Sequence, residues 1–244
     1  MATEVAGAVH ESPILFSGPM VRAILADRKT QTRRVVTRTA LKWLQTPFTP
    51  AFVASRENDL SPYGYAGDEL WVRETWNAQL DWPNAPGEVE TRWWHELPAA
   101  FRGWKNAMRV HYNADLSEWQ CMFDREAEFD GFNDYLVPTG ERAEATRWVP
   151  SIHMPRWASR LSLLISDLRI ERLNECSEAD AIAEGLQRSD GWWLGADHPV
   201  KGTPKVFEDP RQAFASRWDD LNAERGYSWN ANPWVWVITF VREA

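Results

Sequence analysis

The closing run WVWVITF, residues 234–240, constrains what this chain can fold into more than any other stretch. Aromatic and β-branched side chains follow one another there almost without interruption, the composition of a strand buried inside a sheet. Other segments offer strands to build around it. SPILFS (12–17) is a short apolar run. ELWVRETW (69–76) follows the turn signal Gly67-Asp68 and alternates Leu70, Val72, Glu74 and Trp76 against Trp71, Arg73 and Thr75. RLSLLISDLRIERL (160–173) reads as one long strand or two successive ones.

Three helices are punctuated between these strands. GPMVRAILADRK has Pro19 at its first position and a face of Met20, Val21, Ile24 and Leu25, and should run out near Asp27 or Arg28. SEADAIAEGL carries Ser177 as N-cap, Asp180 three residues on and Gly185 just past its end. DPRQAFASRWDDLNAERG has Asp209 as cap, Pro210 in the first turn, an apolar face of Phe214, Trp218 and Leu221, and Gly226 as stop. From about 77 to 147 the pattern loosens into what reads as an elaboration of irregular structure and a hairpin, with one β-like run, AMRVHYNA (107–114). Residues 187–206 read as a loop, with glycines at 191, 195 and 202.

The chain has 244 residues, 44% of them hydrophobic, enough for one large domain or two small ones. No run of eighteen apolar residues occurs, so no membrane span is expected, and the first residues lack the basic and apolar regions of a secretory signal. Cys121 and Cys176 lie far apart, outside any metal-like spacing, which suits free thiols in a reducing cytoplasm.

The formal charge of -8 argues against gripping a long nucleic-acid duplex through its phosphates. One stretch runs the other way. From Arg22 to Arg38 there are six cations against one acid, Asp27, and at its centre lies DRKTQTRR (27–34). A helix end, whose open carbonyls favour cations, accounts for the cluster as well as an anionic ligand does. The sixteen tryptophans divide in the same way, between core filling and base stacking, with core filling the more ordinary role.

Glycine-rich phosphate loops, a dinucleotide fingerprint and a nucleophile elbow are absent. The five histidines are dispersed, and HELPA (95–99) lacks the second histidine of a zinc-protease motif, so neither a metal nor another cofactor is expected.

RKTQTRR, GDELWV, SEADAIAEGL and the terminal WVWVITF occur in an order that resembles the ASCH family of the PUA-like superfamily, and WVPSIHMPRWASRL (148–161) looks like its larger branch from phages and prophages. The resemblance covers about a hundred residues, chiefly 12–36, 64–76, 160–186 and 232–242. It implies an α+β fold: a single PUA-like domain spanning 1–244, with a mixed β-barrel of five to six strands and flanking helices, the 77–147 region and the 187–206 loop being additions. The members nearest in motif deacylate N4-acetylcytidine with a lysine, a threonine and a glutamate. The matching positions are Lys29, Thr32 and Glu184, with Arg28, Arg33, Arg34 and Glu74 as candidate substrate contacts.

The chemistry is coherent with that assignment. Like charge from Arg28, Arg33 and Arg34 favours a neutral Lys29, able to take a proton from Thr32. Glu184 sits in the last turn of its helix, where the dipole disfavours the ionised carboxylate and suits it to proton transfer. The resemblance equally allows a non-catalytic reader of a modified base or of single-stranded RNA, or a ribonuclease. A pure interaction protein offering its tryptophan-rich surface is a third class. The oligomeric state and the acyl group stay open.

Overall fold

A computed structural model describes residues 9–85, 88–93, 108–115, 118–121, 135–137, 148–197 and 202–243. The chain divides into two compact units. The first comprises 1–14, 23–71 and 161–244, the second 15–22 and 72–160.

The first unit is organised around the closing strand. Five strands, β1 (Glu11–Leu15), β2 (Gln31–Val35), β3 (Glu69–Arg73), β9 (Ser162–Arg172) and β13 (Trp234–Arg242), form one sheet in the order β1-β3-β9-β13-β2. The WVWVITF run therefore lies between two neighbours, antiparallel to both β9 and β2. Val235, Trp236, Val237 and Ile238 are all buried, as a strand covered on both faces requires. RLSLLISDLRIERL is one long strand, with a register shift opposite Thr239 and Phe240.

Among the described residues this sheet is open, with β1 and β2 at its two ends, rather than the closed barrel expected from the sequence. The broader expectation stands: helices combine with β-sheets in a mixed α/β chain.

Register assigns the faces of the sheet. Val235, Val237 and Thr239 of β13 share one face with Gln31, Arg33 and Val35 of β2 and with Asp167, Arg169 and Glu171 of β9. The opposite face carries Trp236 and Ile238 with Thr32, Arg34, Leu168 and Ile170. Helices α4 (Glu178–Ala183) and α5 (Pro210–Asn222) pack on the first face, where Ala181, Ala213, Phe214 and Trp218 join Val235 and Val237 in one apolar cluster.

Helix boundaries follow the capping signals. Ser177 Oγ accepts from the Asp180 N–H, while the Ser177 N–H and Oγ–H donate to the Asp180 carboxylate. Asp209 accepts from the Arg211 N–H. Leu221 departs from its expected place: it is exposed, and Ala213 takes its part on the buried face of α5.

Residues 187–206 are not a plain loop. Strands β10 (Arg188–Ser189), β11 (Trp192–Asp197) and β12 (Pro204–Phe207) form a three-stranded sheet, with Gly191 in left-handed conformation at its first turn. Gly195 admits the ring of Phe207, since a β-carbon there would stand 2.5 Å from it.

The second unit corrects the reading of 77–147 as irregular. Its described parts form a five-stranded sheet, β5-β4-β6-β7-β8, from β4 (Trp76–Ala85), β5 (Glu88–Trp93), β6 (Met108–Tyr112), β7 (Glu118–Cys121) and β8 (Tyr135–Val137). All its pairings are antiparallel. Only the β6 segment had been legible as a strand. The others are short or interrupted by polar residues and proline, so alternation alone does not reveal them.

Candidate functional site

Lys29 follows the end of helix α1 (Gly18–Leu25), in a connection turned by Asp27 at φ 53°. The chain then enters β2. The Phe240 N–H donates to the Thr30 carbonyl and the Val36 N–H to the Trp234 carbonyl, so even-numbered residues of β2 bond to β13. Odd-numbered carbonyls consequently point away from β13, along the free edge of the strand. The Lys29 ammonium sits at that edge and donates to the Gln31 carbonyl at 2.9 Å.

The end of α4 meets the same edge. The Thr30 N–H bonds the Ala183 carbonyl, and Lys29 forms an antiparallel bridge with Glu184. Lys29 Nζ donates to the Glu184 carbonyl at 3.0 Å and to Glu184 Oε2 at 2.6 Å. Side-chain exposure is 1% for Lys29 and 7% for Glu184, so this charged contact is almost wholly withdrawn from solvent. Gly185 makes the approach possible: its φ is +89°, and a β-carbon there would lie 2.8 Å from Lys29 Cβ and 3.0 Å from Ala23 Cβ.

Burial pushes the Lys29 ammonium below its usual pKa; Glu184 opposes that shift, and the charges of Arg34 and Arg33 add to it. The direction agrees with the sequence argument, but burial rather than like charge is the main cause. Arg28 is exposed, with its guanidinium 3.4 Å from the Gly185 carbonyl.

Arg33 has a different place from the substrate contact envisaged for it. Its side chain is fully buried. It donates to Gln31 Oε1 at 2.6 Å and Glu171 Oε1 at 2.7 Å, and lies 3.4 Å from Glu184 Oε1 and 3.5 Å from Asp180 Oδ2. The Phe214 ring stands 5.8 Å from the guanidinium carbon. Arg169 ties the outer side of the cluster, donating to Glu171, Asp180 and Asp167. Three cations, Lys29, Arg33 and Arg169, thus interleave with Glu171, Asp180 and Glu184. At Asp180, burial disfavours ionisation, but hydrogen bonds from Ser177 and Gln31 and the charge of Arg33 outweigh it and hold the carboxyl below its ordinary range.

Thr32 and Arg34 rise from the opposite face of β2. Thr32 is buried, and among the described residues no hydrogen bond joins its hydroxyl to Lys29 or Glu184. Arg34 is half-buried, and its pKa is lowered by burial against the opposing influence of Tyr63 and Glu184. The structure therefore joins two of the three expected catalytic residues and sets the third on another face.

Glu74 belongs to the other compact unit and not to this cluster. Its carboxylate is 1% exposed and receives both Nε and an Nη of Arg160, at 2.9 and 3.0 Å. Arg160 also binds Asp115 and lies over the Tyr112 ring, 4.0 Å from its centroid. Glu74 is a buried ion-pair partner, the structural role a charge in an aromatic strand more often has.

Sequence reasoning passed over Gln31, Glu171, Asp180 and Arg169 as members of the cluster. A signal was present: Asp167, Arg169 and Glu171 recur at every second position, which marks a charged face on β9. Among the described residues, no group of three or more His, Cys, Asp or Glu side chains is arranged to hold a metal ion. Nor is any helix there long and apolar enough to cross a membrane.

No family model, no curated protein and no solved structure matches this chain.

Proposed function

We propose that this chain is an amidohydrolase of the ASCH type, acting without a metal on an N4-acylated cytidine or a related modified nucleoside. The observation that carries the reading is the contact between Lys29 and Glu184 at 2.6 Å. The family resemblance singled out these two residues from separate motifs, and they are joined across 155 positions of sequence. Burial favours the neutral amine of Lys29, the form a general base requires.

In the reaction, water's oxygen is added to the acyl carbon and the bond from that carbon to N4 breaks, giving a carboxylic acid and the free amine of cytidine. Lys29 accepts the attacking water's proton, Glu184 receives it across their contact, and Glu184 passes it to the departing nitrogen. Thr32 offers its hydroxyl to the acyl group from the opposite face of β2, and Arg34 beside it meets an anionic substituent. The PUA-like barrel belongs to this proposal rather than to the observed sheet.

A second reading, a non-catalytic reader of a modified base or of single-stranded RNA, is favoured by one feature. All three ammonium protons of Lys29 already have acceptors, and Thr32 stands apart from it. Incubation of the protein with N4-acetylcytidine, followed by chromatography, separates the two. Release of cytidine that survives in Thr32→Ser and is lost in Thr32→Val supports hydrolysis. Binding of the nucleoside without turnover supports the reader, and cleavage of RNA would replace both with a nuclease.

A further inference from the structure

The stretch from Arg38 to Asp59 leaves four of its charges without a partner. Arg38 and Lys42 stand four residues apart on helix α2 (Arg38–Leu44), and so on one side of it. Glu57 and Asp59 belong to the 3-10 turn Arg56–Asn58 and its cap. All four are exposed, and among the described residues none makes an ion pair or a side-chain hydrogen bond. Arg56, the fifth charge of the stretch, is engaged with Asp68 and the Ala66 carbonyl. Two cations and two acids thus balance without meeting one another.

Along the chain, aromatic rings fall between the two pairs of charges. Trp43 of α2 has its ring centroid 5.2 Å from that of Phe48 and 6.1 Å from that of Phe52, in α3 (Pro50–Val53), and the two phenylalanines stand 4.9 Å apart. Phe48 and Phe52 are 46% and 45% exposed, and Pro47 and Ala51 beside them are exposed as well. Apolar surface is therefore continuous here and flanked by charges of both signs.

The backbone beneath the rings is pinned. Thr49 caps α3 through the Phe52 N–H, Thr46 Oγ donates to the Trp43 carbonyl, and Asn58 donates to the Phe52 carbonyl. A surface held in this way needs little further ordering when it docks.

We infer that this patch is the two-fold contact through which two copies of the chain associate. Charge complementarity selects that occupant. A two-fold interface sets one surface against itself, so the surface has to complement itself. Rings face rings across the axis, while Arg38 and Lys42 of each copy meet the acids of residues 57 and 59 in the other. A polyanion would satisfy the cations and be repelled by the acids, and a polycation the reverse. Two rings a little under half exposed offer about 200 Å², short of the roughly 800 Å² that each partner gives a standard interface. The dimer is therefore reversible, and its rim charges make it sensitive to salt. The contact lies within residues 38–59 and depends on neither reading of the Lys29 site.

Sedimentation velocity of the full chain over a range of concentrations tests the contact. A monomer–dimer equilibrium is expected, with a dissociation constant on the order of 1–100 µM, weaker as salt is raised. Phe48→Ser/Phe52→Ser should shift it about tenfold or more toward monomer. Arg38→Gln/Lys42→Glu and Glu57→Lys/Asp59→Asn should each be monomeric alone, because like charges then face one another; asparagine suits the left-handed backbone at residue 59, φ 48°. Mixed in equal amounts, these two variants should form a heterodimer, since the reversed charges match again. Circular dichroism checks that every variant keeps the wild-type fold. A wild type that stays monomeric up to about 100 µM overturns the inference. So does a dimer indifferent to the ring variant, and so do folded charge variants that fail to associate on mixing.

Discussion

Lys29 and Glu184 close the free edge of β2 through a 2.6 Å ion pair, one member from the start of the strand and the other from the end of α4. The geometry gives the pair two roles to be told apart: a fastening of the helix to the sheet, and a place where a proton can be exchanged.

As a fastening, the pair makes the single variants more damaging than the double. Glu184→Ala leaves buried Lys29 without the partner that opposes its burial shift, and should lower stability by about 3–5 kcal/mol in urea denaturation. Lys29→Met combined with Glu184→Leu removes both charges and should recover much of that loss. A single variant within about 0.5 kcal/mol of the wild type would contradict the burial described for the pair.

Asp180 sets an acid limit on the cluster. Its folded pKa lies below the unfolded value of 3.8, so its contribution is present above that pH and is lost as pH falls toward the folded value. Thermal melts of the wild type should therefore fall as pH is lowered below about 4. Asp180→Asn should be less stable near neutrality and show a shallower acid decline. Parallel curves for the two proteins would remove Asp180 from the account.

Gly185 is the residue that lets α4 approach β2. Gly185→Ala combines a left-handed backbone with a 2.8 Å contact to Lys29 Cβ. The conformation alone should cost about 1–2 kcal/mol, and the contact should displace the Lys29–Glu184 pair. Denaturation should show the loss. A neutral substitution would mean the close approach is not made in solution.

Glu74 supplies a contrast in the other unit. Arg160→Met strands its carboxylate in a 1% exposed site and should lower stability by about 3–5 kcal/mol. The expected chemical sign is that Arg160→Met/Glu74→Gln is more stable than Arg160→Met alone, read from the urea midpoints. Equal midpoints would show that the ion pair does not hold this site together.

Much of the first unit could be read from local pattern. Ser177, Asp180, Gly185, Asp209 and Gly226 mark helix ends through short-range hydrogen bonds and backbone preferences, and these operate within four residues. WVWVITF declares a central strand because both its faces are apolar. The convergence of Lys29 with Glu184 came from a resemblance of motifs and not from spacing, since no periodicity spans 155 residues. The positions of Thr32 and Arg33 were missed for a simpler reason: a one-residue step along a strand reverses the face, and Lys-Thr-x-Thr spacing does not say where the strand begins. The five-stranded sheet of 77–147 escaped notice because most of its described strands are short or interrupted by polar residues and proline, which alternation does not mark.

The central claim, that the Lys29–Glu184 pair handles a proton during amide hydrolysis, is tested most directly with Glu184→Gln. This variant keeps the shape and a hydrogen-bonding group while removing the exchangeable charge. Its turnover of N4-acetylcytidine should fall at least a hundredfold, about the lower range for loss of a general acid or base, in a protein whose circular dichroism and melting cooperativity match the wild type. The same rate of cytidine release from folded Glu184→Gln and from the wild type would contradict the claim and leave the pair as a fastening alone.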